Sequence, residues 1–291
     1  MKILVTGAYG QLGSELKELA ENIAAHHFLF SDSDTLDIAD ESQVMDFFDK
    51  EKPEFVINCA AYTAVDKAET EMQTAQIVNT TGPALLAKYT RLHNAGLIHI
   101  STDYVFNGKS YIPYSETDPV QPESVYGKTK LAGENFILSS GSKAVIIRTS
   151  WLYSSFGNNF VKTMLRLGNE RDLLKVVFDQ VGTPTYAADL AKVALSIASV
   201  YENESEKFET GVYHFSNEGV ASWYDFAKSI FEISGINCKV LPVLSDEFPT
   251  PAKRPAYSVL NKSKIKSTFN LEIPYWKESL EKCLKKLQKT E

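Results

Sequence analysis

Short apolar runs recur along the chain at residues 3–6, 27–30, 55–58, 97–101, 144–149 and 175–178. Between them lie stretches with helical spacing of apolar positions, at 11–22, 42–50, 74–93 and 127–139. Short runs separated by helical periods predict strands alternating with helices, the rhythm of a parallel sheet. The first runs, such as Ile3-Leu4-Val5 and Phe55-Val56-Ile57, are continuously apolar and do not alternate with polar residues. Such strands need cover on both faces, because every one of their side chains must leave water. Right-handed crossovers then build a doubly wound α/β sheet that binds ligands at the carboxyl ends of its strands.

The rhythm loosens after residue 150. Elements shorten, and Pro242, Pro249, Pro251 and Pro255 crowd residues 241–255. The predicted division is a nucleotide-binding domain over 1–150 and a smaller, irregular, discontinuous substrate domain mainly over 151–291. A helical pattern at 187–201 returns to the sheet, so residues 170–205 complete the first domain. Leu280, Cys283, Leu284 and Leu287 recur at helical spacing among the lysines of 277–289, the mark of an amphipathic surface helix.

Composition narrows the classes. With 291 residues, 44% hydrophobic and 23% charged, the chain can bury a full core without a metal or disulfide staple. Net charge is −7 and the basic residues are scattered, so a nucleic acid partner is not expected. Cys59, Cys238 and Cys283 are odd in number and lack CxxC spacing, which fits packing residues in a reducing compartment. Met1 leads straight into the first strand and no apolar stretch is long enough to span a bilayer. A cytoplasmic location without a membrane partner is therefore expected.

Gly7, Gly10 and Gly13 follow the first strand and open a helix, with Gln11 and Leu12 between the last two. Glycine there permits a tight turn, close approach of backbone to a pyrophosphate, and close helix–strand packing. The helix N-terminus adds oriented N–H groups and partial positive charge. This is the phosphate-binding turn of a Rossmann-type dinucleotide site. Beyond the second strand come Asp32, Asp34 and Asp37-Ile38, with no Lys or Arg between His27 and Lys50. A carboxylate suits a free ribose hydroxyl, whereas a 2′-phosphate wants a cation. NADH use fits this stretch, NADPH stays open, and the ribose partner is unassigned.

Tyr126 and Lys130 stand four apart at the start of a predicted helix, which places phenol and ammonium on one face. A fixed cation beside a tyrosine favours its charged form, so Lys130 is expected to lower the proton affinity of Tyr126 and to hold the nicotinamide ribose. Upstream, Thr102 ends a strand, placed to hydrogen-bond an oxygen on which charge develops. Trp151 offers an aromatic face to a sugar or base, and Arg254 a fork of donors suited to a diphosphate.

Several segments together resemble the extended short-chain dehydrogenase/reductases. They are the glycine turn, Ala60-Ala61-Tyr62-Thr63 with Asp66 and Glu69, Ser101-Thr102-Asp103-Tyr104-Val105-Phe106, Tyr126 to Lys130 followed by Leu131-Ala132-Gly133-Glu134, Arg148-Thr149-Ser150-Trp151, and Lys253-Arg254-Pro255. The similarity is to the branch that acts on dTDP-linked keto sugars. It implies that NADPH or NADH delivers hydride to C4 of dTDP-4-keto-L-rhamnose and that Tyr126 protonates the resulting oxyanion. Thr102, Tyr126 and Lys130 match the catalytic positions. By the same resemblance Gly10, Gln11 and Leu12 meet the cofactor phosphates, Asp37 and Ile38 its adenosine end, and Ala60 to Thr63 its middle. Thr102, Asp103 and Trp151 meet the substrate.

Some relatives form dimers bridged by Mg2+ through acidic side chains of the first helix and of a later one. Glu15 and Asp189 are available for this, but Ala188 stands where a second carboxylate would help, which leaves monomer and homodimer both open. Dehydratases of the fold carry Glu where this chain has Tyr104, so dehydration is disfavoured. An epimerase or another sugar-nucleotide reductase remains a competing reading. So does a non-catalytic regulatory subunit, although such a binder has no need of the intact Thr102, Tyr126 and Lys130 set.

Overall fold

Alternate residues of a strand point to opposite faces of its sheet, and here each set finds its own core. Six parallel strands form the sheet: β1 (Lys2–Thr6), β2 (His27–Ser31), β3 (Phe55–Asn58), β4 (Gly96–Thr102), β5 (Lys143–Thr149) and β6 (Gly211–His214), in the order β6-β5-β4-β3-β1-β2. This is a computed structural model, and it describes residues 1–290. Ile3, Val5, Phe55, Ile57, Ile98, Val145 and Ile147 pack with Leu16 of α1 (Gln11–Ala20) and with the long helix Ala187–Asn203. Leu4, Val56, Leu97, Ala144 and Ile146 meet α2 (Glu41–Glu51), α3 (Gly82–Leu92) and α4 (Val125–Ser140) on the other face. The continuous apolar runs follow from this double cover.

The first five predicted strands fall in the sheet. The sixth run does not. Residues 175–178 overlap a strand, Leu173–Val177, that pairs in parallel with Lys239–Val243 outside the main sheet. Its burial alternates, with Leu174 and Val176 inside and Leu173 and Lys175 outside. A two-stranded ladder has only edges, which also lets Pro242 take part. The sheet takes β6 as its sixth strand, a four-residue segment too short to stand out by pattern.

The helix predicted at 74–93 is present with a defect. An α-helical turn, Met72–Gln76, widens to π geometry over Ile77–Thr81 before α3 begins. Pro83 accounts for the widening, since proline has no N–H and its ring collides with the carbonyl four residues back in a regular helix. That carbonyl belongs to Asn79, and a Cβ on Gly133 of α4 would lie 2.3 Å from its oxygen. The π turn and α4 therefore touch backbone to backbone.

Two features fix α4 against the sheet. Ser124 caps it by accepting from the Gly127 N–H at 3.1 Å, and a Cβ on Gly127 would lie 2.3 Å from the Tyr104 carbonyl oxygen just past β4. Deeper, Glu134 is fully buried and accepts from Arg148 of β5 at 2.7 Å and from Ser101 of β4 at 2.5 Å.

Beyond the sheet, the helices Phe160–Glu170, Trp223–Ser234 and Trp276–Thr290 enclose a second core that includes Tyr153, Phe226, Ile230, Trp276 and Leu280. The last of these is the predicted amphipathic helix, with Leu280, Cys283 and Leu284 buried. Among the described residues no helix is long and apolar enough to cross a membrane.

Removing one partner of a buried ion pair leaves an uncompensated charge and costs about 3–5 kcal/mol. Glu134→Ala should accordingly lower the urea midpoint of unfolding by a matching amount, whereas Glu41→Ala, which frees the exposed Lys88 and removes a long 3.5 Å bond from the Tyr89 hydroxyl, should change it little. Equal midpoints for the two variants would show that the buried pair does not anchor α4.

Candidate active site

In this strand order the chain leaves β1 for β2 on one side and returns to β3 on the other, so a crevice opens between the carboxyl ends of β1 and β3. Gly7 takes φ +66°, and a Cβ on it would sit 2.6 Å from the Ala60 nitrogen, in the loop that follows β3. A Cβ on Gly13 would lie 2.3 Å from the Gly7 carbonyl oxygen, and Gly10 is the N-cap of α1. The turn is thus a bare backbone cradle at a helix N-terminus, which fits a dinucleotide pyrophosphate. Leu12 is buried in the core behind it, and the Gln11 side chain accepts from Asn159 at 3.0 Å.

The acidic residues beyond β2 separate by position. Asp32 accepts from the Tyr9 N–H at 3.0 Å, inside the glycine turn, while Asp34 is exposed. Asp37 is exposed and closes its own turn by accepting from the Ala39 N–H. The side chain of Ile38 is buried against Gly82. Asp32 is therefore the carboxylate tied to the cradle.

Ala60, Ala61 and Tyr62 are half-buried in the loop after β3, and Thr63 is exposed. Asn79, fully buried in the π turn, clamps this loop: its Oδ1 accepts from the Tyr62 N–H at 2.9 Å, and its Nδ2 donates to the Tyr62 carbonyl at 3.1 Å and to Thr129 at 3.2 Å. The loop is thereby bound to the residue preceding Lys130. Sequence reading missed Asn79, and the available signal was an Asn-Thr-Thr-Gly-Pro interruption inside a helical pattern.

Thr102, Asp103, Tyr126 and Lys130 meet at the end of β4. Thr102 is buried, donates to Asp103 Oδ1 at 3.0 Å, and accepts from the Tyr104 N–H. Tyr126 is half-buried and packs edge-on against Tyr104, with ring centroids 5.5 Å apart. Its proton affinity differs from the expected one. Burial raises the Tyr126 pKa above the ordinary phenol value, opposed by a hydrogen bond with Thr102, and Asp103 and Tyr104 raise it further. Desolvation disfavours phenolate, while the Lys130 ammonium turns to the Ile100 carbonyl at 2.6 Å and to His99 at 3.3 Å. Burial in turn lowers Lys130 to about 8, against the pull of Glu134 and Cys59.

Trp151 adopts a left-handed backbone, φ +48°, and stacks on Trp223 with centroids 3.7 Å apart and planes within 8°. A Cβ on Gly182 would collide with its ring. Arg254 binds Asp66 at 2.6 Å and the Tyr104 hydroxyl at 3.1 Å, so its fork is already held next to the tyrosines. The carboxylates considered for a metal are each held by protein donors. Glu15 accepts from Ser154 at 2.6 Å and Lys286 at 2.8 Å, and Asp189 accepts from Asn217 and Ser279. No group of three or more metal-ligating side chains occurs among the described residues.

A doubly wound sheet with a glycine cradle at its switch point and a Thr-Tyr-Lys set beside it defines a Rossmann-type oxidoreductase of the short-chain dehydrogenase/reductase kind. A family profile described as RmlD substrate binding domain matches residues 1–289. The chain belongs to this family. The dTDP-4-dehydrorhamnose reductase of Aggregatibacter actinomycetemcomitans is 43% identical over 287 residues, which cover 96% of this chain and 97% of that protein. The solved structure of a dTDP-4-dehydrorhamnose reductase from Clostridium acetobutylicum is 46% identical, with a TM-score of 0.93 over 99% of this chain and all of that one. Its counterpart from Bacillus anthracis, solved in complex with NADP, is 41% identical, with a TM-score of 0.90 over 98% of this chain and 99% of that one.

Asp103 is buried, and burial pushes its carboxyl up from 3.8 to about 7 against hydrogen bonds from the Thr102 and Ser258 side chains. The folded protein therefore keeps a proton that the unfolded chain has lost between those values, so raising the pH from about 4 to about 7 should favour unfolding. Asp103→Asn, which cannot ionise, should flatten this part of the profile of urea midpoint against pH. An unchanged slope would mean that Asp103 titrates normally.

Proposed function

We propose that the protein reduces the C4 keto group of dTDP-4-keto-L-rhamnose to give dTDP-L-rhamnose, with Tyr126 as proton donor and NADPH or NADH as reductant. The reduced dinucleotide supplies the hydride when bound. The part built on residues 1–150, completed by the helix at 187–203, holds the dinucleotide, and the elements of 151–291 around the second core receive the sugar nucleotide. The kinship with dTDP-4-dehydrorhamnose reductases, one of them solved with NADP, supports this reading.

The observation that carries it is the convergence of the loops leaving β1 and β3 with the helix α4. The Ala60 to Thr63 loop borders the glycine cradle at Gly7 and is bonded through Asn79 to Thr129, beside Lys130. The cradle is thereby tied to the helix that carries Tyr126 and Lys130, which supports their acting on one bound dinucleotide.

A phenol with raised proton affinity stays protonated through the neutral range and can only give its proton to a stronger base. The alkoxide formed at C4 is such a base, so transfer from Tyr126 runs downhill and neutralises the charge as it appears. The Thr102 hydroxyl adds a hydrogen bond at the same oxygen. Lys130 donates to the ribose hydroxyls and orients the dinucleotide. Gly10, Gln11 and Leu12 line the phosphates, with Gly7 and Gly13 giving the clearance. Trp151 presents its ring to the sugar, with Asp103 as a hydrogen-bond acceptor, and Arg254 takes the diphosphate.

The direct test is loss of nicotinamide absorbance when the purified protein meets dTDP-4-keto-L-rhamnose and NADPH. Turnover is expected, and Tyr126→Phe should cut it at least ~100-fold, the lower end for losing a general acid. Wild-type rates in that variant would end the mechanism, and absence of turnover on this substrate with either reductant would end the assignment.

A further inference from the structure

Under the crevice floor, buried polar side chains from three elements form one hydrogen-bonded chain. Asn58 ends β3, His99 lies within β4 and Lys130 belongs to α4, and none is more than 1% exposed. Asn58 Nδ2 lies 2.9 Å from His99 Nδ1, and His99 Nε2 lies 3.3 Å from Lys130 Nζ. The reductase reading gives a role to the lysine alone.

One end of the chain fixes the direction of every proton in it. The Ala60 backbone N–H donates to Asn58 Oδ1 at 3.1 Å, and the Thr6 hydroxyl donates to the same atom at 2.8 Å. A backbone N–H can only donate, so that atom must be the amide oxygen and the amide nitrogen must face His99. An amide nitrogen also only donates, so His99 Nδ1 is the acceptor and the neutral ring carries its proton on Nε2. The ring is neutral because burial holds its pKa well below 6.5, with the Lys130 charge acting in the same direction. Its Nε2–H then points at Lys130 Nζ.

An ammonium has no lone pair to accept that proton, whereas a neutral amine has one. With Lys130 charged, two donors oppose each other at Nζ, or the ring moves its proton to Nδ1 and opposes the Asn58 amide instead. The bond from Nζ to the Ile100 carbonyl serves either form. The other groups acting on Lys130 are Cys59 from the β3 side and Glu134 one turn on, whose carboxylate is bound by Arg148 of β5. Tyr126 stands one turn before it.

Building on the reductase reading, we propose that Asn58 and His99 are positioning residues: by fixing the His99 ring with its Nε2–H aimed at Lys130 Nζ, they favour the neutral amine of Lys130 over its ammonium and so set the alkaline limit of the reaction.

Ring 15N resonances of His99 in the unmodified protein, with no cofactor added, should show Nε2 protonated and Nδ1 bare above the Lys130 midpoint. The Lys130 13Cε resonance should titrate near 8. His99→Asn keeps an acceptor for Asn58 but removes the Nε2–H, and should move that midpoint and the alkaline limb of kcat upward by about one unit, with KM little changed. His99→Gln returns a donor near the lost one and should bring both back. A proton on Nδ1 in the unmodified protein overturns the proposal whether or not the variants fold, and so does a midpoint unmoved in folded His99→Asn. Wild-type turnover by Tyr126→Phe would remove the reductase reading instead, and the ring-nitrogen and lysine measurements would still decide the role of Asn58 and His99.

Discussion

The loop leaving β1 must pass against the loop leaving β3 with nothing but backbone between them. A methyl group at Gly7 would overlap Ala60, and one at Gly13 would overlap the carbonyl of Gly7. This clearance sets where α1 starts and how closely it lies against the sheet. It also leaves a strip of bare backbone at the N-terminus of α1, which no side chain caps. The rest of the site is arranged around that bare strip, because each neighbouring loop is held at a fixed distance from it by a buried side chain.

Those side chains are mostly polar. Asn58 reaches from the end of β3 to the Ala60 N–H, Asn79 holds Tyr62 to α4, and Glu134 ties α4 to both β4 and β5. Each is buried and hydrogen-bonded to neighbouring elements, as burial of polar groups requires. Apolar packing would allow α4 to slide by fractions of an ångström. Hydrogen bonds of fixed direction hold the phenol of Tyr126 and the amine of Lys130 to one register with the strand ends. The same burial explains why the two groups carry shifted proton affinities: the wall that positions them also removes their water.

The sheet was legible in the sequence because double burial writes itself as uninterrupted apolar runs. Gly7, Gly10 and Gly13 were legible because their placement after β1 has a steric meaning. β6 was not, since four residues carry too little pattern, and Leu173–Val177 was misplaced because a strand pattern does not say which partner it will find. Within the site, Thr102 and Tyr126 lie together at the end of β4, with Lys130 one turn on from Tyr126, but the electrostatics between them were not readable. Spacing on a helix puts Lys130 near Tyr126, and only the packed structure shows its ammonium turned toward Ile100 and His99. His99, Asn58 and Asn79 left only faint marks, each a polar residue inside an otherwise apolar or helical stretch.

From the helix Trp276–Thr290, Lys286 reaches the buried carboxylate of Glu15 on the first helix of the sheet. The two residues lie 271 positions apart in the chain. During synthesis, α1 can be made and covered in part long before its counter-charge exists, so Glu15 waits with a solvated or ill-matched partner until residue 286 leaves the ribosome. Closing such a distant contact is slow compared with local helix formation. The nascent protein is thereby committed to a late docking step, and ribosome-bound chains that stop short of this helix should leave open the face of the helix Trp223–Ser234 on which it packs.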